Sequence, residues 1–306
     1  MADYQHETGT IIGKGGIEIF VQRWRTHRPL ASLVIAHGLG EHSGRYGNLV
    51  NRLAGKRISI YALDHRGHGR SSGKRGHVAS FGDYVEDLAF FINSVIDDNP
   101  GISVFLLGHS MGGVIAMLYA LRSQEKLSGL ILSSPGLIPT VEAPKYKVAF
   151  ASFLSKYLPS LLVSNELDSN YISHDRQVVA DYQNDPLVHD RISARWYTEF
   201  IKSAEECLNR AGEIMIPLFV FHGTDDRLVD FAGSIHVFDA ASSRDKMKLL
   251  LEGLYHETMN EVEYEREKVL AAISKWILER TGKSKKTKST KVTRKKTGTH
   301  GKRNKE

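Results

Sequence analysis

The chain has a single cysteine, Cys207, in 306 residues, so an internal disulfide is excluded. No Cys/His grouping has metal-ligand spacing, and Cys207 reads as a core or cap thiol. No stretch approaches the ~20 consecutive apolar residues a membrane-spanning helix needs. The first ten residues are polar and lack the apolar core of a signal peptide. Internal repeats are missing as well. These absences point to a cytoplasmic location. Acidic residues are nearly absent from the lysine-rich C-terminal end. Of the 41 Lys+Arg and 35 Asp+Glu, eleven and one lie between Thr281 and the C-terminus, so the body carries 30 against 34 and the tail is net +10. The basic character therefore belongs to the tail, and the body is weakly acidic. Residues 281–306, with Val292 as their lone apolar residue, are expected to be disordered. Such a tail is either a solvated end or an attachment to anionic lipid or, non-specifically, to nucleic acid. The acidic body argues against nucleic-acid binding through the folded part.

What is present is a strand–helix alternation. Hydrophobic content of 41% and charged content of 25% are ordinary for a globular protein. Thr10–Gly15 and Ile17–Arg25 read as an antiparallel pair hinged at Gly15-Gly16. Short apolar runs at Leu33–Ala36, Ile58–Leu63, Ile102–Leu107, Leu130–Leu132, Leu218–Phe221 and Lys248–Leu251 read as strands. Helical patterns lie between them, at Tyr46–Leu53, Phe81–Ile96, Val114–Leu121 and Val262–Leu278. This rhythm predicts an α/β fold: a mostly parallel central sheet with helices on both faces. It breaks between Pro135 and Ile216, where strands stop and an apolar concentration runs from Val148 to Leu162. An insertion of this size is expected to be a helical cap. The predicted organisation is a core of 1–135 and 216–280, a cap of 136–215, and the tail. The apolar part of the cap either buries its own core or faces an acyl pocket or lipid.

The chemistry is organised around Gly108-His109-Ser110-Met111-Gly112. A strand leads in and a helix leads out, the context that makes G-x-S-x-G a nucleophile elbow. Ser110 then needs a base and an acid, in the chain order Ser, Asp or Glu, His. Two strand ends supply them. His222-Gly223-Thr224-Asp225-Asp226 offers the acid as Asp226, with Asp225 as competitor, and Tyr255-His256-Glu257 offers His256 as base. The oxyanion hole needs two backbone N–H groups. Met111 follows the nucleophile, and Leu39 lies in the loop His37-Gly38-Leu39-Gly40-Glu41-His42.

Together, His37–Tyr46, the run Asp64-His65-Arg66-Gly67-His68-Gly69-Arg70-Ser71, and Gly108–Gly113 resemble the monoacylglycerol lipase / lysophospholipase family of α/β-hydrolases. Tyr182–Leu187 and Gly223–Leu228 extend the resemblance, which runs from about Thr8 to Arg280. It implies the α/β-hydrolase fold and places the acid on Asp226. It also implies that Glu41, Arg45, His109 and Tyr182 surround the polar head of a glyceryl ester. Leu39 stands where the family commonly has a smaller residue. Its N–H alone is needed for the hole, so the departure bears on pocket shape.

The expected activity is serine carboxylester hydrolysis of a small single-chain amphiphile, a monoacylglycerol or lysophospholipid, through an acyl-enzyme, with no metal or organic cofactor. Peripheral contact with anionic membrane through the tail and cap is expected to accompany it. The rivals are a peptidase or amidase resembling proline iminopeptidase, a general short-chain carboxylesterase, a haloperoxidase-like or C–C bond hydrolase, and a non-catalytic binding protein. An intact Ser110, Asp226 and His256 set speaks against the last.

Overall fold

A computed structural model describes residues 4–140 and 144–281. The basic tail beyond Thr281, and with it the expectation of disorder, lies outside the described residues.

The strands, in chain order, are β1 (Gln5–Ile12), β2 (Glu18–Arg25), β3 (Ala31–Ala36), β4 (Ile58–Leu63), β5 (Ser103–His109), β6 (Gly129–Ser133), β7 (Leu162–Ser164), β8 (Arg191–Ser193), β9 (Leu218–Gly223) and β10 (Lys246–Leu251). Eight of them form one sheet, in the spatial order β1-β2-β4-β3-β5-β6-β9-β10. β1 pairs with β2, and β2 with β4, antiparallel; every other pairing in that sheet is parallel. Central strands β3 and β4 are buried at every position, as continuous apolar runs in a sheet covered on both faces must be. β1, at an edge, alternates between exposed and half-buried residues along most of its length.

The α-helices are α1 (Gly47–Leu53), α2 (Gly82–Asp98), α3 (Met111–Ser123), α4 (Lys145–Tyr157), α5 (Arg176–Asn184), α6 (Ala194–Asn209), α7 (Ala232–Ala240) and α8 (Glu263–Leu278). Two apolar clusters show the layering. One joins a face of the sheet to Leu88 and Phe91 of α2, Val114 and Leu118 of α3, and Val237 of α7. The other joins the opposite face to Leu49 and Leu53 of α1 and to Ile273 and Trp276 of α8. Cys207 is buried in the first cluster, as a core thiol. Among the described residues no helix is long and apolar enough to cross a membrane.

Helices α4, α5 and α6 all lie between β6 and β9. Strands do not stop here, contrary to what the apolar pattern predicts. β7 and β8 form a small antiparallel pair, too short to leave a period in the sequence. Backbone bonds tie this segment to loops of the main sheet, among them His189 N–H to Gly40 O, Ser193 N–H to Gly76 O, and Glu257 N–H to Ile172 O.

β3 has β4 on one side and β5 on the other, so the strand order reverses there. Crevices at the carboxyl ends of such strands are where open α/β sheets place their sites.

Candidate active site

Ser110 stands between β5 and α3 with φ 53° and ψ −119°. That conformation is strained for a residue with a Cβ, by about 1–3 kcal/mol, and it points the side chain out of the turn. The flanking glycines allow it. A Cβ on Gly108 would strike Gly112 O, and one on Gly112 would strike Ala36 O at the end of β3. Around the turn, Ser110 N–H donates to Ser133 O, while Ser110 O accepts from Gly113 and Gly136 N–H.

The loop after β3 comes against this turn. A Cβ on Gly38 would lie 3.2 Å from Ser110 Cβ and 3.0 Å from Glu41 Oε1. Both polar groups of the Gly38 backbone are fixed. Its N–H donates to Glu41 Oε1 at 2.6 Å, and its carbonyl accepts from His37 Nδ1 at 2.7 Å. His37 Nε2 accepts from His65 N–H at 2.8 Å, so the ring is used as a neutral tautomer. Burial, the largest influence, brings its pKa down to about 4, despite the opposing charge of Asp64. Among the described residues, neither the Leu39 nor the Met111 N–H donates to a protein acceptor.

Asp226 and His256 come together from the ends of β9 and β10. His256 Nδ1 donates to Asp226 Oδ2 at 2.6 Å, and both side chains are buried. Asp226 Oδ1 accepts the N–H groups of Leu228 and Val229 at 2.8 and 3.0 Å. Burial alone would raise the Asp226 pKa. The His256 charge and the hydrogen bonds from His222 and His256 hold it well below the usual carboxylate range. For His256, burial acts downward and the Asp226 carboxylate more than reverses it, so its pKa is raised. Asp225, the competitor, is exposed, and its backbone N–H is tied to Leu254 O.

Glu41, Arg45, His109 and Tyr182 also converge. Arg45 lies over the Tyr182 ring at 4.6 Å and contacts Glu41 Oε2 at 3.1 Å. His109 sits with its ring centroid 4.8 Å from that of His256 and bonds Ser133 through Nδ1. Burial, then the neighbouring His256 charge, lowers its pKa to about 4 and keeps it neutral. Glu41 faces inward: Tyr46 Oη and Gly38 N–H both donate to its Oε1, so it braces the loop.

Two residues of the site escape the sequence reading. Glu257 forms a two-bond pair with Arg45, at 2.5 and 2.9 Å, across 212 positions of chain. His222 Nε2 lies 2.9 Å from Asp226 Oδ2. Each is adjacent to a predicted residue or within its motif, but no periodicity announces a contact between distant segments.

A serine on an elbow, an imidazole held by a buried carboxylate, and two free backbone donors nearby are the parts required for acyl transfer. Known proteins similar to this chain are hydrolases. The model of a family described as serine aminopeptidase, S33, matches residues 27–263. A monoacylglycerol lipase of Mycolicibacterium smegmatis is 37% identical over 87% of this chain and 95% of its own. A phospholipase of Bacillus subtilis is 34% identical over 79% of this chain and 93% of its own. The crystal structure of a Paleococcus ferrophilus monoacylglycerol lipase superposes with a TM-score of 0.79 at 35% identity, over 86% of this chain and 99% of that one.

Proposed function

This chain belongs to the monoacylglycerol lipase family of α/β-hydrolases, and we propose that Ser110, His256 and Asp226 are the triad with which it cleaves its esters. It is a hydrolase of ester bonds in single-chain amphiphiles of the monoacylglycerol and lysophospholipid type. The observation that carries the triad is the 2.6 Å bond between Asp226 and His256, with the His256 ring 4.8 Å from that of His109, the residue before Ser110.

His256 takes the Ser110 proton as Oγ attacks the ester carbonyl. Asp226 fixes the His256 tautomer and stabilises the imidazolium. The Leu39 and Met111 N–H groups bind the oxyanion. The alcohol leaves with the proton from His256, and water then cleaves the acyl-enzyme. Side chains and backbone supply every proton transfer and every hydrogen bond in this sequence, so it calls on neither metal nor organic cofactor.

Residues 136–215 act as a cap over this site. The support is the set of backbone bonds that pins His189, Ile172 and Ser193 to loops around it. Glu41, Arg45, His109 and Tyr182 form the headgroup side, with Glu257 added. Two carboxylates there face one guanidinium, and Arg45 is already paired twice with Glu257. A phosphate would meet net negative charge and would have to break a buried pair. A neutral glyceryl head is therefore favoured over an anionic one. The same pairing weighs against an aminopeptidase, which needs a free carboxylate for the substrate ammonium; Glu41 and Glu257 are both engaged.

On α4, Tyr146, Phe150, Phe153 and Tyr157 follow one helical face and are 72, 60, 55 and 58% exposed. An outward apolar stripe of this kind suits contact with a lipid surface where the substrate resides, assisted by the basic tail. The proposed location is the cytoplasm and the surface of anionic membranes.

The test is a hydrolysis panel of monoacylglycerols, lysophosphatidic acid, triacylglycerols, butyrate esters and aminoacyl anilides, run on wild type and Ser110→Ala. Monoacylglycerol should lead, and the variant should lose on the order of 10⁴-fold or more. A fluorophosphonate should label Ser110 alone. Labelling elsewhere, or a variant retaining over a tenth of the activity, removes the triad; preference for the anilides removes the ester reading.

A further inference from the structure

β9 ends at His222-Gly223, and the His222 side chain is fully buried beside Asp226. Its Nε2 lies 2.9 Å from Asp226 Oδ2, the same oxygen that takes His256 Nδ1 at 2.6 Å. On the far side of the ring, Nδ1 lies 2.7 Å from Oγ of Ser234, itself fully buried on α7. Oδ1 of Asp226 is filled by the Leu228 and Val229 N–H groups. A carboxylate offers about four lone-pair sites, and here four donors occupy them.

The carboxylate fixes one proton. An ionised carboxylate only accepts, so His222 Nε2 carries a hydrogen. In a neutral imidazole Nδ1 is then an acceptor, and the Ser234 hydroxyl must donate to it. A cationic His222 would instead set a second positive charge on Asp226, in competition with the imidazolium that forms at His256 during the reaction. With a neutral His222 ring, Ser234 donates to His222, and His222 and His256 both donate to the Asp226 carboxylate between them. No other side chain donates to Asp226 among the described residues.

We propose that His222, seated between Ser234 and Asp226, is a positioning residue that holds the Asp226 carboxylate for His256 and moderates the charge Asp226 places on it. The inference rests on the triad reading given above. His222 approaches Oδ2 from β9, whereas Leu228 and Val229 hold Oδ1 from the loop, so the plane of the carboxylate is fixed by opposite supports. Without the His222 donor the carboxylate can rotate about the Oδ1 contacts, and more of its charge falls on His256. The first effect lowers kcat. The second favours the imidazolium, on which the Glu257 and Glu41 carboxylates also act and against which the neutral His109 ring packs, and moves the acid limb of the rate profile upward.

The experiment measures kcat and KM on a soluble butyrate ester across pH for wild type, His222→Leu, His222→Gln, Ser234→Ala and Asp226→Asn. ¹⁵N-histidine NMR of wild type is recorded alongside, with the His222 signals assigned by their loss in His222→Gln. His222→Leu should lower kcat on the order of 10- to 100-fold with KM little changed. Its acid limb should rise by about half to one pH unit, a fraction of the roughly one to two units that a whole lost hydrogen bond to a charged acceptor amounts to, because only part of the freed charge falls on His256. His222→Gln keeps a donor within reach of Oδ2 and should recover most of both. Ser234→Ala should move both in the same direction by less. The NMR should show His222 neutral with the proton on Nε2.

A folded His222→Leu variant with kcat within twofold of wild type and an unmoved acid limb overturns the proposal. So does a cationic or Nδ1-protonated His222 in wild type. If His222→Leu does not fold, Ser234→Ala and the NMR decide, and a wild-type profile in Ser234→Ala overturns it. Asp226→Asn separates the two levels. If it too is nearly fully active, the triad reading fails; if it is crippled while the His222 and Ser234 variants are normal, only the present inference fails.

Discussion

At position 256 two opposing effects act on one imidazole. Burial disfavours its charge, and the Asp226 carboxylate favours it more strongly, leaving the pKa raised. As the proposed base, His256 must be neutral to accept the Ser110 proton. The acid limb of kcat/KM is therefore expected above the ordinary imidazole value of about 6.5, and Asp226→Asn should bring the titration down while cutting kcat by about 10⁴. Asp225→Asn should do far less, since its side chain is exposed. Rate–pH profiles of both variants check this; equal losses, or the reverse order, would overturn the choice of acid. Stability follows the same signs. The His256 contribution is present at low pH and is lost as pH rises through the raised pKa. The Asp226 contribution is present above the usual carboxylate range and is lost as pH falls toward the depressed one. Ser110 and His256 are legible in the sequence because the elbow and the strand ends are local patterns. The choice between Asp225 and Asp226 is not legible from the residues alone, because one step along a loop reverses which side chain turns inward. The Arg45–Glu257 pair is illegible for another reason: its members are 212 positions apart.

At the scale of elements, buried strands are the easiest to read, since burial on both faces leaves an unbroken apolar run; Ile58–Leu63 matches β4 end to end. Edges are harder. β1 begins at Gln5, well before the predicted Thr10, because an edge strand carries polar residues on its open side and is held by pairing with β2 rather than by burial. Helix α7 leaves no signal beside the acid loop. The apolar concentration of 148–162 is visible, but periodicity does not tell a buried face from an outward one. On α4 the aromatic stripe faces out. Replacing Phe150 and Phe153 together with serine should therefore leave thermal stability within about 0.5 kcal/mol, as surface substitutions do. It should weaken binding to phospholipid vesicles and slow hydrolysis of vesicle-borne monoacylglycerol severalfold, with little change on dissolved butyrate esters. Co-sedimentation and paired assays measure this. Equal losses on dissolved and vesicle-borne substrate would mean that the stripe supports the structure of the proposed cap instead.

Charge is divided unevenly over the molecule as a whole, with 30 basic against 34 acidic residues in the body and a net +10 in residues 281–306. The segment from Gly282 on has Val292 as its lone apolar residue and follows the last core side chains of α8, Trp276 and Ile277. Deleting residues 282–306 should therefore leave thermal stability and kcat on a dissolved butyrate ester unchanged. Its effect should appear at surfaces. Each lysine close to an anionic bilayer adds up to about 1 kcal/mol, fading within a Debye length. A net-negative body would be repelled from such a bilayer, and the tail reverses the sign of that interaction at the end where it is attached. Full-length protein should co-sediment with phosphatidylserine-containing vesicles at low salt and be released as salt rises, while the truncated protein stays in the supernatant. Duplex DNA holds a tail of this kind too, with a steep salt slope, so the same pair of proteins is run against DNA. Retention by vesicles well above that by DNA at equal salt supports a role at membranes, where the outward stripe of α4 adds apolar contact that DNA cannot offer. Equal behaviour of full-length and truncated proteins toward both would reduce the tail to a solvated end and leave α4 as the sole proposed lipid contact.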